Sequence, residues 1–146
     1  MTMEDERGIV FTVYGEPQGK ARPVVTRTGH AFTPKKTVTY EAEIVGAYRA
    51  AYPDRVLWEK GVPLRLRVNA YYGIPKSATK RERAAMLAGE ISPTKKPDFD
   101  NIGKIVSDAL NGIAYHDDAQ ITDGKVRKEY SEEPRIVVWI CEDKRV

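Results

Sequence analysis

The stretch Lys-Pro-Asp-Phe-Asp-Asn-Ile-Gly-Lys (96–104) decides how this chain is interpreted, together with Asp-Ala-Leu-Asn-Gly (108–112) and Asp-Asp-Ala-Gln-Ile (117–121) behind it. It joins an apolar helical pattern to a set of closely spaced aspartates. The rest of the 146 residues can be read as a scaffold for this segment, or as a surface that brings a substrate to it.

The first part of this stretch predicts a helix. Pro97 disfavours a helical conformation at the residue before it, so the helix should begin after Pro97. Asp98 and Asp100 both suit the N-cap, and Asn111-Gly112 is a typical end signal. Between these ends the apolar residues recur at three- and four-residue steps, which predicts one buried face. That face comprises Phe99, Ile102, Ile105, Val106, Ala109, Leu110 and Ile113.

The charged residues of the stretch are spaced so that they can share one small volume. Asp100 and Lys104 are four residues apart and therefore lie on one side of the helix. Asp117 and Asp118 follow in a loop that leads into a predicted strand. If that strand lies beside the helix, the loop returns one of these acids to Asp98 and Asp100. We therefore expect three carboxylates and one ammonium group to meet.

Such a cluster is typical of a divalent metal site. Neighbouring carboxylates raise one another's pKa unless a cation intervenes, and hard oxygen ligands suit Mg2+ or Mn2+. A bound ion of this kind can generate hydroxide and neutralise a phosphodiester in the transition state. Lys104 would hold a phosphate oxygen or the nucleophilic water, and Lys95 and Lys96 would draw a phosphodiester towards the metal.

The same residues also have simpler interpretations. Taken singly, each acid could be a helix cap or a turn residue, and Asp100 with Lys104 an ordinary helix pair worth roughly 0.3 kcal/mol. The whole set favours the metal site. An EF-hand is excluded, because its loop positions five and twelve would be Ile102 and Ala109, neither of which is a suitable side-chain ligand.

The three quoted motifs closely resemble those of the RusA family of Holliday-junction resolvases, which are small, homodimeric, Mg2+-dependent endodeoxyribonucleases of bacteria and prophages. A further run, Gly-x-Pro-x-Gly-Lys-x-Arg-Pro (15–23), resembles the phage-type branch of that family. The resemblance implies that Asp98, Asp100 and Asp118 bind the metal, that Lys104 is the essential lysine, and that Asp117 is the adjacent acid of the same set.

Composition sets the broad class. With 41% hydrophobic and 31% charged residues, positions 1–146 are expected to form one soluble globular domain. A net charge of +3 is by itself a weak argument for a nucleic-acid partner. The only cysteine, Cys141, is expected to be a buried thiol in a reducing compartment. Neither a signal peptide nor a membrane span is visible, so we expect a cytoplasmic protein without a membrane partner.

The distribution of charge is more informative than its sum. Residues 18–36 contain no acid, and the loop at about 15–36 lacks periodicity, as functional loops of that length often do. We expect this loop to contact DNA phosphates, with Phe32 or His30 stacking on a base, although a solvated mobile loop is the alternative. The candidate DNA-binding residues are Lys20, Arg22, Arg27, Lys35, Lys36, Lys95 and Lys96.

The remaining patterns predict the fold class α/β, of the α+β type: a small mixed β-sheet packed with helices. Strands are predicted at 9–14, 63–72, 120–130 (interrupted near Asp123-Gly124) and 135–142. Helices are predicted at 37–52, capped by Thr37 or Thr39, and at 77–89, capped by Ser77 or Thr79. The turn at 132–134 predicts that the last two strands form an antiparallel hairpin.

The polar segment 1–7 is expected to fray. Arg65 and Arg67 share the exposed face of the second strand, where they could contact DNA or only solvent.

The leading hypothesis is a Mg2+-dependent, structure-selective endodeoxyribonuclease that resolves four-way DNA junctions by paired symmetric phosphodiester hydrolysis. Junction specificity comes wholly from the resemblance. The alternatives are a branched-DNA nuclease that acts on flaps or forks, and a junction-binding protein that does not cut. The acids argue against the last, because binding a polyanion gains nothing from carboxylates. A homodimer is expected, since a two-fold junction needs two symmetric cuts, and no small-molecule cofactor is expected.

Overall fold

The computed structural model describes residues 8–145, so the predicted fraying of 1–7 lies outside the described residues. Within that range the elements follow one another as β1 (Ile9–Tyr14), β2 (Val24–Val25), β3 (Ala31–Phe32), α1 (Lys35–Ala51), β4 (Leu64–Gly73), α2 (Lys80–Leu87), α3 (Phe99–Leu110), a 3-10 turn (Asp118–Gln120), β5 (Ile121–Ser131) and β6 (Arg135–Glu142). The predicted α+β class is confirmed.

A four-stranded mixed sheet forms the centre of the fold, with the strand order β1-β6-β4-β5. β6 runs antiparallel to both β1 and β4, whereas β5 runs parallel to β4. Along β4 buried and half-buried residues alternate, as the sequence pattern predicts for a strand with one face on the core. β2 and β3 pair only with each other, as a separate two-stranded ribbon.

The core lies between one face of this sheet and the helices α1 and α3. Five of the seven predicted core residues of α3 are buried: Ile102, Ile105, Val106, Ala109 and Leu110. Ile113 is half-buried against the core. Phe99 was predicted to be buried and is 65% exposed, because at the first helical residue its side chain projects beyond the packed face.

The predicted hairpin of β5 and β6 is wrong, because β4 lies between them. The short connection at 132–134 passes over the end of β4, where Gly73 pairs with Ser131. A Cβ added at Gly73 would contact the Glu16 carboxylate first and would lie 3.2 Å from Pro134 Cγ, so glycine leaves room there both for Glu16 and for the connection. The predicted interruption near Asp123-Gly124 is wrong, because β5 is continuous there; its pairing with β4 shifts register one step earlier, between the Leu64–Ile121 and Arg65–Asp123 pairs.

Helix starts agree only partly with the sequence signals. α2 begins after Thr79, one of the two predicted caps, with a capping box in which Thr79 accepts from Glu82 N and the Glu82 carboxylate accepts from Thr79 N. α1 begins two residues before Thr37, with Pro34 at the N-cap position and no side-chain cap. Thr37 instead accepts from the Ala21 amide at 3.3 Å, which attaches the basic loop to α1.

One edge of the sheet is covered by a single side chain. The Tyr52 hydroxyl lies beside β1, where it accepts from Val10 N at 2.9 Å and donates to Val10 O at 3.2 Å. Cys141 is fully buried, as predicted. Across residues 8–145, the structure contains no helix of the length and apolarity that a membrane span requires.

Candidate functional site

Asp98 stands at the N-cap of α3 without capping it. Its backbone has φ −73° and ψ 155°, yet its side chain accepts no capping hydrogen bond. The Tyr72 hydroxyl donates to Pro97 O, which fixes the chain immediately before the helix. Burial, followed by the charges of Asp98 and Glu16, raises the pKa of Tyr72 to about 12. The carboxylate of Asp98 is therefore held near Tyr72 but remains available to a ligand.

An open cavity of ≈ 670 Å³ lies beside Asp98. Its walls come from three segments, namely the loop at 17–22, the start of α1 and residues 96–101 at the start of α3. The cationic residues in these walls are Lys20, Arg22, Lys36 and Lys96. Both helices also direct the positive end of their dipole at the cavity. The arrangement attracts anions, and Asp98 is the carboxylate among its lining residues.

The loop that forms one wall is packed closely on α3. Lys20 N donates to Asn101 O at 3.0 Å. A Cβ added at Gly19 would lie 2.9 Å from the Asn101 Cβ and 3.0 Å from the Pro97 Cβ. Such distances are too short for any side chain, so glycine at this position permits the loop to approach the helix.

The Lys20 side chain runs towards the other end of α3. Its ammonium lies 3.1 Å from Glu41 and 3.3 Å from Asp108, and the side chain is only 18% exposed. Partial burial alone would lower the pKa of Lys20, but the two carboxylates outweigh it and raise the pKa. Lys20 was predicted as a DNA contact; the structure shows its charge engaged by α1 and α3.

Asp118 lies beside Asp108, near the last turn of α3. Burial, then a hydrogen bond with Asp117 and the charge of Asp108, raises the pKa of the Asp118 carboxyl. Asp117 caps the 3-10 turn by accepting from Ala119 N at 3.0 Å, and this bond lowers the pKa of Asp117. These neighbouring acids form a second acidic group, distinct from Asp98 and Asp100.

The expectation that Asp98, Asp100 and Asp118 meet within one chain is wrong. Asp100 and Asp108 are eight residues apart, or about 12 Å along the helix axis. The Tyr115 hydroxyl donates to Ser107 O, which holds the loop of Asp118 against the last turns of α3 and away from the first. Among residues 8–145 no three His, Cys, Asp or Glu side chains are placed to hold one metal ion. One chain therefore supplies two partial carboxylate sets rather than a complete site.

The other predicted basic residues lie at exposed positions outside the cavity walls. Lys104 is exposed on α3 between the two acidic ends. Lys35 starts α1 and Arg27 lies in the turn of the β2–β3 ribbon, both exposed. Lys95 is exposed, and its carbonyl accepts from the Lys128 ammonium at 2.7 Å.

Arg65 and Arg67 lie on the sheet face that turns away from α1 and α3. Arg67 reaches both carboxylate oxygens of Asp123, at 3.1 and 3.2 Å, and Arg65 binds Asp123 at 3.0 Å. Arg65 also lies 3.4 Å from Asp143. The two arginines thus have acidic partners within the chain, which favours the solvated-face interpretation over a DNA contact.

Sequence reasoning missed Glu41 and Tyr72 as parts of the site. Each reaches it through a contact between distant segments, with Glu41 meeting Lys20 and Tyr72 meeting Pro97. Both residues sit on regular buried or half-buried positions of α1 and β4, so no local spacing marks them.

Comparison with known proteins agrees with the motifs. The family described as endodeoxyribonuclease RusA matches residues 14–141, a range that includes the cavity and both acidic ends of α3. An uncharacterized protein of Bacillus subtilis (strain 168), YqaN, is 39% identical over 139 residues, which are 92% of this chain and 96% of that protein. The chain belongs to the RusA endodeoxyribonuclease family.

Proposed function

We propose that this chain is a Mg2+-dependent, structure-selective endodeoxyribonuclease that resolves four-way DNA junctions by paired symmetric cuts. Its membership of the RusA family supports the broader part of this proposal, namely that it is an endodeoxyribonuclease. The observation that carries the proposal is the uncapped Asp98 in a cavity whose other charged walls are cationic. A carboxylate repels a DNA phosphate, so its presence there makes chemical sense when a divalent cation joins the two.

The metal ligands in this proposal are Asp98, Asp100 and Asp118, with Asp117 adjacent. When bound, Mg2+, or Mn2+ in its place, would supply an activated water and neutralise charge on the phosphodiester. Lys104 is exposed on the helix that carries Asp100 and would hold a phosphate oxygen. The walls of the cavity would bind the neighbouring backbone through Arg22, Lys36 and Lys96, and Lys95 would extend that surface.

A homodimer would complete the site that one chain leaves divided. If two α3 helices lie antiparallel about a two-fold axis, the first turn of each lies beside the last turn of the other. Asp98 and Asp100 of one subunit would then face Asp118 of the partner subunit. The exposed Phe99 stands between the two acids, beside an apolar groove of ≈ 360 Å³ between α3 and β5. Burial of Phe99 in such a contact would bring both neighbouring carboxylates to the interface.

The test is a cleavage assay on a synthetic four-way junction, with products mapped on all four strands. We expect paired cuts in Mg2+ and none in EDTA. D100N should lower the cutting rate by roughly 1000-fold while junction binding is kept or tightened, because a negative charge is lost. D54N, a substitution at an exposed acid in the loop after α1, is the matched control and should cut normally.

Flap, fork and linear duplex substrates run beside the junction distinguish the alternatives. Preferential cutting of flaps or forks would replace junction resolution with a broader branched-DNA activity. Binding of the junction with no cutting in Mg2+ or Mn2+ would contradict the nuclease proposal.

A further inference from the structure

The ribbon formed by β2 and β3 exposes apolar side chains on both of its faces. Val24 pairs with Phe32, so these two lie on one face, and Val25 lies on the other with Ala31. Val24 is 45% exposed, Val25 68% and Phe32 51%. Every residue from 22 to 33 is exposed, so neither face packs on the rest of the described chain.

The ribbon nevertheless has a definite shape. Thr26 N donates to His30 O at 2.8 Å, and Gly29 N donates to Thr26 O at 3.0 Å. The Thr26 hydroxyl accepts from His30 N at 3.2 Å, and Gly29 adopts φ 86°, which the turn requires. A two-stranded ribbon without a core is marginally stable in water, so a partner that covers its apolar faces would stabilise it.

Charge and position indicate that the partner is DNA. No acid occurs between Glu16 and Glu41, whereas this interval contains, besides the engaged Lys20, the cationic residues Arg22, Arg27, Lys35 and Lys36. Both ends of the ribbon continue directly into walls of the cavity that contains Asp98, since Arg22 precedes it and Pro34 follows it. A DNA strand bound in that cavity would pass the base of the ribbon.

We propose that the β2–β3 ribbon inserts Phe32 and Val24 between bases at the branch point of the junction. This inference rests on the proposed function. Apolar side chains that enter between base steps unstack them, and bases at a branch point are the least costly to unstack. The ribbon spans nine residues folded double, so its polar turn reaches about 15 Å from the cavity, or roughly four base steps. Val24 and Phe32 lie nearer, each two residues along the chain from a cavity-lining residue, Arg22 or Pro34. The basic residues flanking it hold the backbone while Val24 and Phe32, at the base of the ribbon beside the cavity, enter the stack.

The test uses the full-length D100N protein, which is expected to bind without cutting, and junctions with 2-aminopurine at successive positions within about four bases of the cleavage site. Unstacking raises the fluorescence of this base. We expect D100N to raise it at the branch point, and D100N combined with V24A and F32A to leave it unchanged at saturating protein. In the protein that retains Asp100, V24A together with F32A should lower the rate of junction cleavage by roughly tenfold.

The matched controls are V56A and L87A, which remove exposed apolar groups far from the ribbon; Val56 is 81% exposed and Leu87 50% exposed. Both should keep the fluorescence increase and the cleavage rate. Thermal unfolding should be unchanged by V24A with F32A, since the ribbon contributes nothing to the core.

Each outcome separates this inference from the proposed function. A fluorescence increase without cutting by the unsubstituted protein would support insertion and contradict the nuclease proposal. Junction cutting without any fluorescence change, or cutting unaffected by V24A with F32A, would overturn insertion alone. A change in oligomeric state caused by V24A with F32A would assign the ribbon to a contact between two copies and would also overturn it.

Discussion

The Lys20 ammonium lies 3.3 Å from the Asp108 carboxylate, and this contact joins the basic loop to the end of α3 that holds Asp118. The Lys20 amide meanwhile bonds to Asn101 O in the first turns of the same helix. A single residue of the loop is therefore attached near both acidic ends of α3. Displacement of the loop by DNA would be transmitted to both sets of proposed metal ligands.

K20M should destabilise the fold by about 1–3 kcal/mol, because it leaves Glu41 and Asp108 without their shared cation. The repulsion among Asp108, Asp117 and Asp118 would also increase. Urea unfolding at neutral pH measures the change. D108N added to K20M should recover part of the loss, and K60M, at an exposed lysine, should change little. Equal stability of K20M and the parent protein would show that the contact is not maintained in solution.

D100N and D118N should complement each other if the metal site is shared between subunits. In a dimer of one D100N chain and one D118N chain with shared sites, one site carries both substitutions and the other carries none. Half of the dimers formed from an equal mixture are mixed, so nicking should return to about a quarter of the parent rate. A cruciform plasmid distinguishes nicked from linear product, and we expect nicking without linearisation. Absence of any recovery, with dimers present, would place each site within one chain.

G19A and G46A should change stability in opposite directions. The added methyl at Gly19 would meet Asn101 and Pro97, so the loop must move away from α3, at a cost of about 1–3 kcal/mol. At Gly46, in the middle of α1, nothing lies within 4 Å of the added methyl, and alanine should stabilise the helix by about 0.5–1 kcal/mol. Thermal and urea unfolding measure both.

Junction binding separates the two glycine variants further. G19A moves the wall that contains Lys20 and Arg22, so it should weaken binding, whereas G46A should not. Normal binding by G19A would mean that the cavity does not contact the DNA backbone.

Stability should fall in acid through the ion pairs on the open sheet face. A hydrogen bond from Arg67, followed by Arg65, holds the pKa of Asp123 below its ordinary value of 3.8. Because the pKa of Asp123 is lower in the folded protein than in the unfolded chain, its charged form stabilises the fold at any pH above the ordinary pKa. This stabilisation is lost as the pH falls through the pKa of the folded protein. D123N should therefore be less stable than the parent at pH 6, and the difference should shrink below about pH 3.8.

Urea unfolding at pH 6, 4, 3 and 2.5 checks this. D54N serves as an exposed-acid control. A difference between D123N and the parent that does not change with pH would show that the Asp123 charge is not what stabilises this face.

Local patterns predicted the elements of this fold well and their arrangement less well. The Thr79 capping box and the alternation along β4 depend on neighbouring residues, so the sequence displays them directly. The placement of β4 between β5 and β6 depends on pairing between strands that are far apart in the chain, which no periodicity records. Similarly, the spacing of Asp118 is compatible with either end of α3, and the bond from Tyr115 to Ser107 selects the last turn.

In the candidate site, too, the sequence indicated the local features but not the contacts between distant segments. Motif spacing identified the acids and the basic loop, because each set is contiguous in the chain. The engagement of Lys20 by Glu41 joins segments that are 21 residues apart, and only the packing of the loop between α1 and α3 brings them together. Phe99 was assigned to the core by its helical step, yet at the first residue of α3 it lines an open groove beside β5 and stays 65% exposed.

The phenol of Tyr52 has a consequence for self-association. An outer strand offers unpaired peptide groups that can recruit a strand from another molecule and start a fibre-like stack. At Val10 both such groups are already taken by the hydroxyl, so an incoming strand would have to expel the ring before it could form a ladder. A single aromatic residue thereby blocks strand addition at this point of the β1 border.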